Sequence, residues 1–215
     1  MTIANDAPTN EQSVAGFART IPLAVAALER RARDVESVAG GGPEADVVKA
    51  YAAARFFIVQ VDVDMRVLLQ TMASSPAVRV TSEKLLALVL RESIDGVYKI
   101  LSDLQRTART QQGRFSGFID VDALTTAQTA YKLAVRDIAE DRPFKTTLTR
   151  IRNEVAAHMF SDETGIESAA AWVVSRSTLP KTNDAMFESL IFSRSVQVLK
   201  ALHELDADLA TSRPM

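Results

Sequence analysis

The chain has 215 residues, 47% of them apolar and 24% charged, with 25 Lys plus Arg against 27 Asp plus Glu and a formal charge of −2. So large an apolar share excludes a disordered chain, and the near balance of charge excludes a general attraction to nucleic acid or anionic membrane, while leaving room for a small local basic site. Without cysteine there is no disulfide framework and no thiolate zinc site.

Met1 to Gln12 is polar, carries Asp6 and Glu11, and reads as a flexible tail before one helical domain over 13–215. The tail lacks the basic start and apolar run of a signal peptide. No uninterrupted apolar run approaches the roughly 18 residues that span a bilayer. The longest candidate, around Tyr51 to Val61, is broken by Arg55 and Gln60. The expectation is a cytoplasmic protein with no membrane partner.

A helix is expected from about Ser13 to Val38, with Pro22 marking a kink or a restart and Gly40-Gly41-Gly42-Pro43 ending it. Pro43 suits the first turn of the next helix, which runs to about Ala73. Within it, Val59 to Met65 alternates like a strand. Tyr51, Ala54, Ile58, Val61, Met65, Leu68 and Met72, however, keep a three–four spacing over a longer span, and the longer register decides for helix. Ser74-Ser75-Pro76 closes the segment. A third helix is expected from Ser82 to Thr110, striped by Leu86, Leu90, Ile94, Val97, Leu101 and Leu104, with a loop at Gly113 to Gly117. Asp120 suits the N-cap of a fourth helix reaching Glu140. Pro143 starts a fifth, whose inward stripe is Phe144, Leu148, Ile151, Val155 and His158. A short sixth helix is expected over Ile166 to Arg176. The last, Asp184 to Leu209, aligns Phe187, Ile191, Val198, Leu202 and Leu205. No segment reads as a strand. The fold class is an all-α antiparallel bundle of five to seven helices.

The fifth helix carries the stretch with chemical potential, Arg152-Asn153-Glu154-Val155-Ala156-Ala157-His158, which contains one of two histidines. An imidazole can take or give a proton, and a guanidinium can hold the negative charge that develops at a phosphate. Arg152 and His158 are six positions apart, so on a regular helix their directions differ by roughly 120° and their heights by about 9 Å. One helix does not bring them to one face. A long Arg side chain curling toward the site, or a helix that ends near His158, would bring them closer, and the more economical solution is that the two groups meet across a dimer interface. The bland alternative is a core or interface histidine satisfied by one hydrogen bond, since His158 lies on the apolar stripe.

Arg-Asn, then Ala-His, then the acidic Asp162, on a penultimate long helix of an all-α bundle, resembles the HEPN superfamily (higher eukaryotes and prokaryotes nucleotide-binding). The resemblance covers the layout from about Pro43 to Leu209, and Met159 and Phe160 depart from the polar residues that often follow the His. It implies a metal-independent endoribonuclease, of a toxin–antitoxin or antiphage system, that works as a homodimer on RNA. His158 would act as general base or acid and Arg152 as transition-state stabiliser, with Asn153 orienting the phosphate or the His. An antitoxin or other protein would be a partner, and no cofactor or metal is implied. Other members of the superfamily have lost catalysis and serve as interaction or dimerisation modules, which is the alternative reading.

Elsewhere the sequence offers bland features. Glu29-Arg30-Arg31-Ala32-Arg33 reads as a solvated helix face, and Asp62, Asp64 and Arg66 as local ion pairs without metal-ligand spacing. Arg194 falls on the apolar stripe of the last helix, where a buried head would need a carboxylate, and a packed stem with its head in solvent is the commoner arrangement. His203 reads as surface, and Trp172 as core.

Overall fold

The computed structural model describes residues 10–38, 44–75, 78–115, 119–151 and 181–212. Seven helices lie among them: α1 (Asn10–Ser37), α2 (Glu44–Ser74), α3 (Arg79–Phe115), α4 (Val121–Ala134), α5 (Arg136–Glu140), α6 (Arg142–Arg150) and α7 (Lys181–Thr211). No strand occurs among the described residues. The expected all-α bundle is what forms.

The bundle is built around α2. At 31 residues it is about 46 Å long, and it packs against α1, α3 and α7. This central position explains the strand-like alternation in its sequence. Val59, Val61, Val63 and Met65 are all buried, because partners cover the helix on more than one face. A helix apolar nearly all round belongs in a core, and its periodicity blurs accordingly. A connection of only four residues joins α2 to α3, so the two pack along their lengths only by running antiparallel. Leu86, Leu90, Val97, Leu101 and Leu104 of α3 are wholly buried, and Gly96 gives α2 close access. A Cβ at that position would sit 3.0 Å from Phe57 Cζ and 3.1 Å from Glu92 Oε2.

Pro22 does not interrupt α1, which continues through it as one helix. Phe17 of α1 meets Phe192 of α7 edge-on, with ring centroids 6.3 Å apart. Polar ties supplement this packing. Arg66 makes a salt bridge to Asp62 at 2.7 Å and donates to Thr20 Oγ1 at 3.1 Å, linking α2 to α1. α3 extends to Phe115, past Gly113, where a loop was expected.

The expected fourth helix is two. Asp120 caps α4, accepting from the N–H groups of Asp122 and Ala123 as its sequence suggested, and its own N–H donates to Ser212 O at 2.8 Å. At Val135 the backbone departs from helix, with φ −106° and ψ 6°, and α5 begins on the other side. The break leaves the Ala134 carbonyl in need of a donor, and Gln197 of α7 supplies it. Its Nε2 donates to Ala134 O and to Asp137 Oδ1, both at 2.9 Å. Gln197→Leu keeps the bulk and removes the donor, so it is expected to destabilise the fold by about 1–2 kcal/mol. A denaturant titration reads this directly. A midpoint equal to that of the wild type would mean that water satisfies the carbonyl instead.

Candidate functional site

Arg152 follows immediately on Ile151, the last described residue of this region, so the route into the motif is visible. It begins at Asp141, which has extended backbone angles (φ −69°, ψ 91°) and accepts from Phe144 N at 2.9 Å as the N-cap of α6. Pro143 stands in the first turn, where no N–H is required. Phe144, Leu148 and Ile151 are buried against the core, as their spacing predicts. Leu148 and Ile151 have no exposed surface at all.

Arg194 of α7 locks this entry, and of the two arrangements open to it the less common, buried and paired with a carboxylate, is the one that forms. Its side chain does not hold its head in solvent. Only 16% of it is exposed, and Nη2 donates to Asp141 Oδ2. The guanidinium lies 4.2 Å from the centroid of Phe144. One cation therefore binds the N-cap carboxylate of α6 and stacks on the first buried ring of that helix. The hydrogen bond from Phe144 N, with that from Arg194, holds the Asp141 carboxyl below the usual carboxylate range despite some desolvation. The partner stands 53 residues away, beyond what local sequence spacing reveals.

Arg152, Asn153 and His158 lie outside the described residues, as do Asp162, Trp172 and the expected helix at 166–176. The other histidine, His203, is exposed on α7, as expected for a surface position. Among the described residues no group of three or more His, Cys, Asp or Glu side chains could hold a metal ion. No helix among them is long and apolar enough to cross a membrane.

A cavity of about 490 Å³ opens beside this entry, where α3, α4, α5 and α6 meet. Its interior is formed by Ile94, Tyr131, Val135 and Ala139, and Lys145 of α6 is one of its charged walls. The Tyr131 hydroxyl donates to Ser93 O at 2.5 Å, and burial pushes its pKa well up. It is a fixed structural donor and not a proton carrier. Tyr131 is legible as an inward residue from its three–four spacing after Leu124 and Ala127. The cavity is not, because it depends on the break at Val135.

The remaining charge cluster is structural in form. Arg55, on the central helix, donates through Nε and Nη2 to the two carboxylate oxygens of Asp206, at 2.7 and 2.9 Å. Arg31 reaches the same carboxylate at 3.4 Å. Tyr51 donates its hydroxyl to Leu209 O at 2.7 Å alongside. Arg30 and Arg33 stay exposed as the sequence suggested, whereas Arg31 is drawn into this network.

The class that these features define is an all-α bundle with a short, firmly anchored helix leading into the Arg-Asn-x4-His stretch. Comparison with protein-family models, with curated proteins and with solved structures gives no match for the chain.

Proposed function

We propose that this chain is a HEPN-like, metal-independent endoribonuclease of a toxin–antitoxin or antiphage system, acting as a homodimer. The observation that supports this reading most is the anchoring of α6. Ile151 is wholly buried and Arg194 clamps the opposite end of the helix, so the backbone is held in place up to Ile151, the residue before the motif in sequence. Catalytic groups act only when held close to a productive geometry, and sites carried on packed elements achieve that better than sites on loops.

In the proposed reaction His158 takes the proton of a ribose 2′-OH as the oxygen attacks the adjacent phosphorus. The bond to the departing 5′-oxygen breaks, and that oxygen takes up a proton from an imidazolium. Arg152 holds the charge that builds on the phosphoryl oxygens, and Asn153 orients the phosphate or the imidazole. Two motifs facing each other across a two-fold axis would supply one imidazole as base and another as acid. An antitoxin would act by covering that composite site.

Two experiments test this. Light scattering at high micromolar concentration is expected to give a dimer, and a strict monomer would contradict the composite site. Arg152→Lys keeps the charge and loses the planar fork that fits a phosphate, so cleavage of single-stranded RNA, or growth inhibition on expression, is expected to fall sharply. Undiminished cleavage by that variant would show that Arg152 contacts no phosphate.

A further inference from the structure

We infer that the cavity between α3, α4, α5 and α6 is a binding site for a small amphipathic anion, a one- or two-ring aromatic molecule carrying a single carboxylate or sulfonate. Its size, about 490 Å³, lies within the range of small-molecule sites. The floor is apolar. Ile94 and Val135 are buried there, and the Tyr131 ring is presented with its hydroxyl already engaged by Ser93 O, so this tyrosine brings a face and no free donor.

Tyr98 forms a wall and leaves 45% of its surface in water. Lys132 holds its ammonium 5.7 Å from the centroid of that ring. A flat ring entering the cavity would cover exposed aromatic surface and bring an anionic substituent towards the same ammonium.

The charges decide the sign of the ligand. Lys132, Arg136 and Lys145 line the cavity against Asp95 and Glu140. Asp95 is already compensated, since Arg91 from outside the lining binds it at 2.7 Å and Lys145 lies 3.7 Å from it. Arg136 stands exposed at the start of α5 and makes no ion pair with another described residue. Among the described residues the mouth therefore carries a surplus of positive charge over an apolar floor, which suits one negative group on an apolar body. The break at Val135 creates this arrangement, because it starts α5 afresh with Arg136 and Ala139 among the lining residues.

The test is calorimetric titration of the full chain with 2-naphthoate, and with 2-naphthalenemethanol as its uncharged counterpart. Saturable one-site binding of the carboxylate is expected, with the alcohol at least about tenfold weaker. Lys132→Glu with Arg136→Glu, both at exposed positions, is expected to weaken the carboxylate by about tenfold or more while the melting curve stays in place. Ala139→Phe, which fills the interior, is expected to abolish binding of both compounds. Absence of saturable binding to the wild type overturns the inference. So does equal affinity for acid and alcohol, or full affinity in the charge-reversed double variant. None of these residues belongs to Arg152–His158, so a failure of RNA cleavage would leave this binding untouched.

Discussion

His158→Ala is expected to lower RNA cleavage by about 10²–10⁴-fold, the range that a positioned acid or base contributes, while the protein melts close to the wild type. A catalytic imidazole must reach solvent and substrate, so it contributes little to packing. The interaction-module reading gives the opposite pattern. There His158 is a packed or hydrogen-bonded residue of the apolar stripe, and its removal destabilises by about 1–3 kcal/mol with no activity to lose. The chain provides its own control, since it has only two histidines and His203 is exposed on α7. His203→Ala is expected to change neither cleavage nor melting. A wild type that neither cleaves RNA nor slows growth, together with a clearly destabilised His158→Ala, would leave the interaction module standing.

Asp206→Ala is expected to destabilise the fold by about 3 kcal/mol, because it strands a buried guanidinium without its carboxylate. The Arg55 side chain is 11% exposed and that of Asp206 is 25% exposed, so this pair is far from a surface salt bridge. In a chain of this length the loss corresponds to a melting point lower by about 6–12 °C. Replacing both partners by apolar residues, Arg55→Met with Asp206→Leu, is expected to recover most of that loss, since neither charge is then left unpaired. If the double variant is no more stable than Asp206→Ala alone, the contribution lies in packing and not in charge. The same pair sets a pH dependence. Burial pushes the Asp206 carboxyl up, but its hydrogen bond and charge interaction with Arg55, helped by Arg31, outweigh burial and hold it below its ordinary value. The stability it contributes is therefore complete above the usual carboxylate range near pH 4, and is lost as pH falls through the lower folded-state value. Acid unfolding of the wild type is expected to begin in that lower range, and in the double variant this component is absent.

Local pattern carried most of the helices, and long-range pairing carried what was missed. The stripe from Leu86 to Leu104 and the trio Phe144, Leu148 and Ile151 are buried as their spacing implies, because each helix has one dominant core face. Asp120 caps α4 because a carboxylate before a helical run has N–H groups waiting for it. The break at Val135 was not legible. Nothing in Tyr131 to Ala139 breaks a helix by composition, and the donor that satisfies Ala134 O comes from Gln197, far along the chain. The pairing of Arg194 is hidden for the same reason, its carboxylate standing at the N-cap of α6 and its ring on α6 itself. The cavity follows from the break at Val135, since it opens where the chain is redirected. The motif itself was legible as a sequence, and Arg152, Asn153 and His158 lie outside the described residues, so their arrangement rests on chemistry that a reaction can reveal.

That reaction leaves a signature in its products. Purified wild-type protein, incubated with a single-stranded RNA in excess chelator, is expected to yield fragments ending in a 2′,3′-cyclic phosphate and beginning with a 5′-hydroxyl, because the internal 2′-OH is the attacking group. Fragments with those ends that persist in chelator would agree with a reaction carried by His158 and Arg152 alone. Cleavage that chelation abolishes, or products bearing 3′-hydroxyl and 5′-phosphate ends, would contradict it.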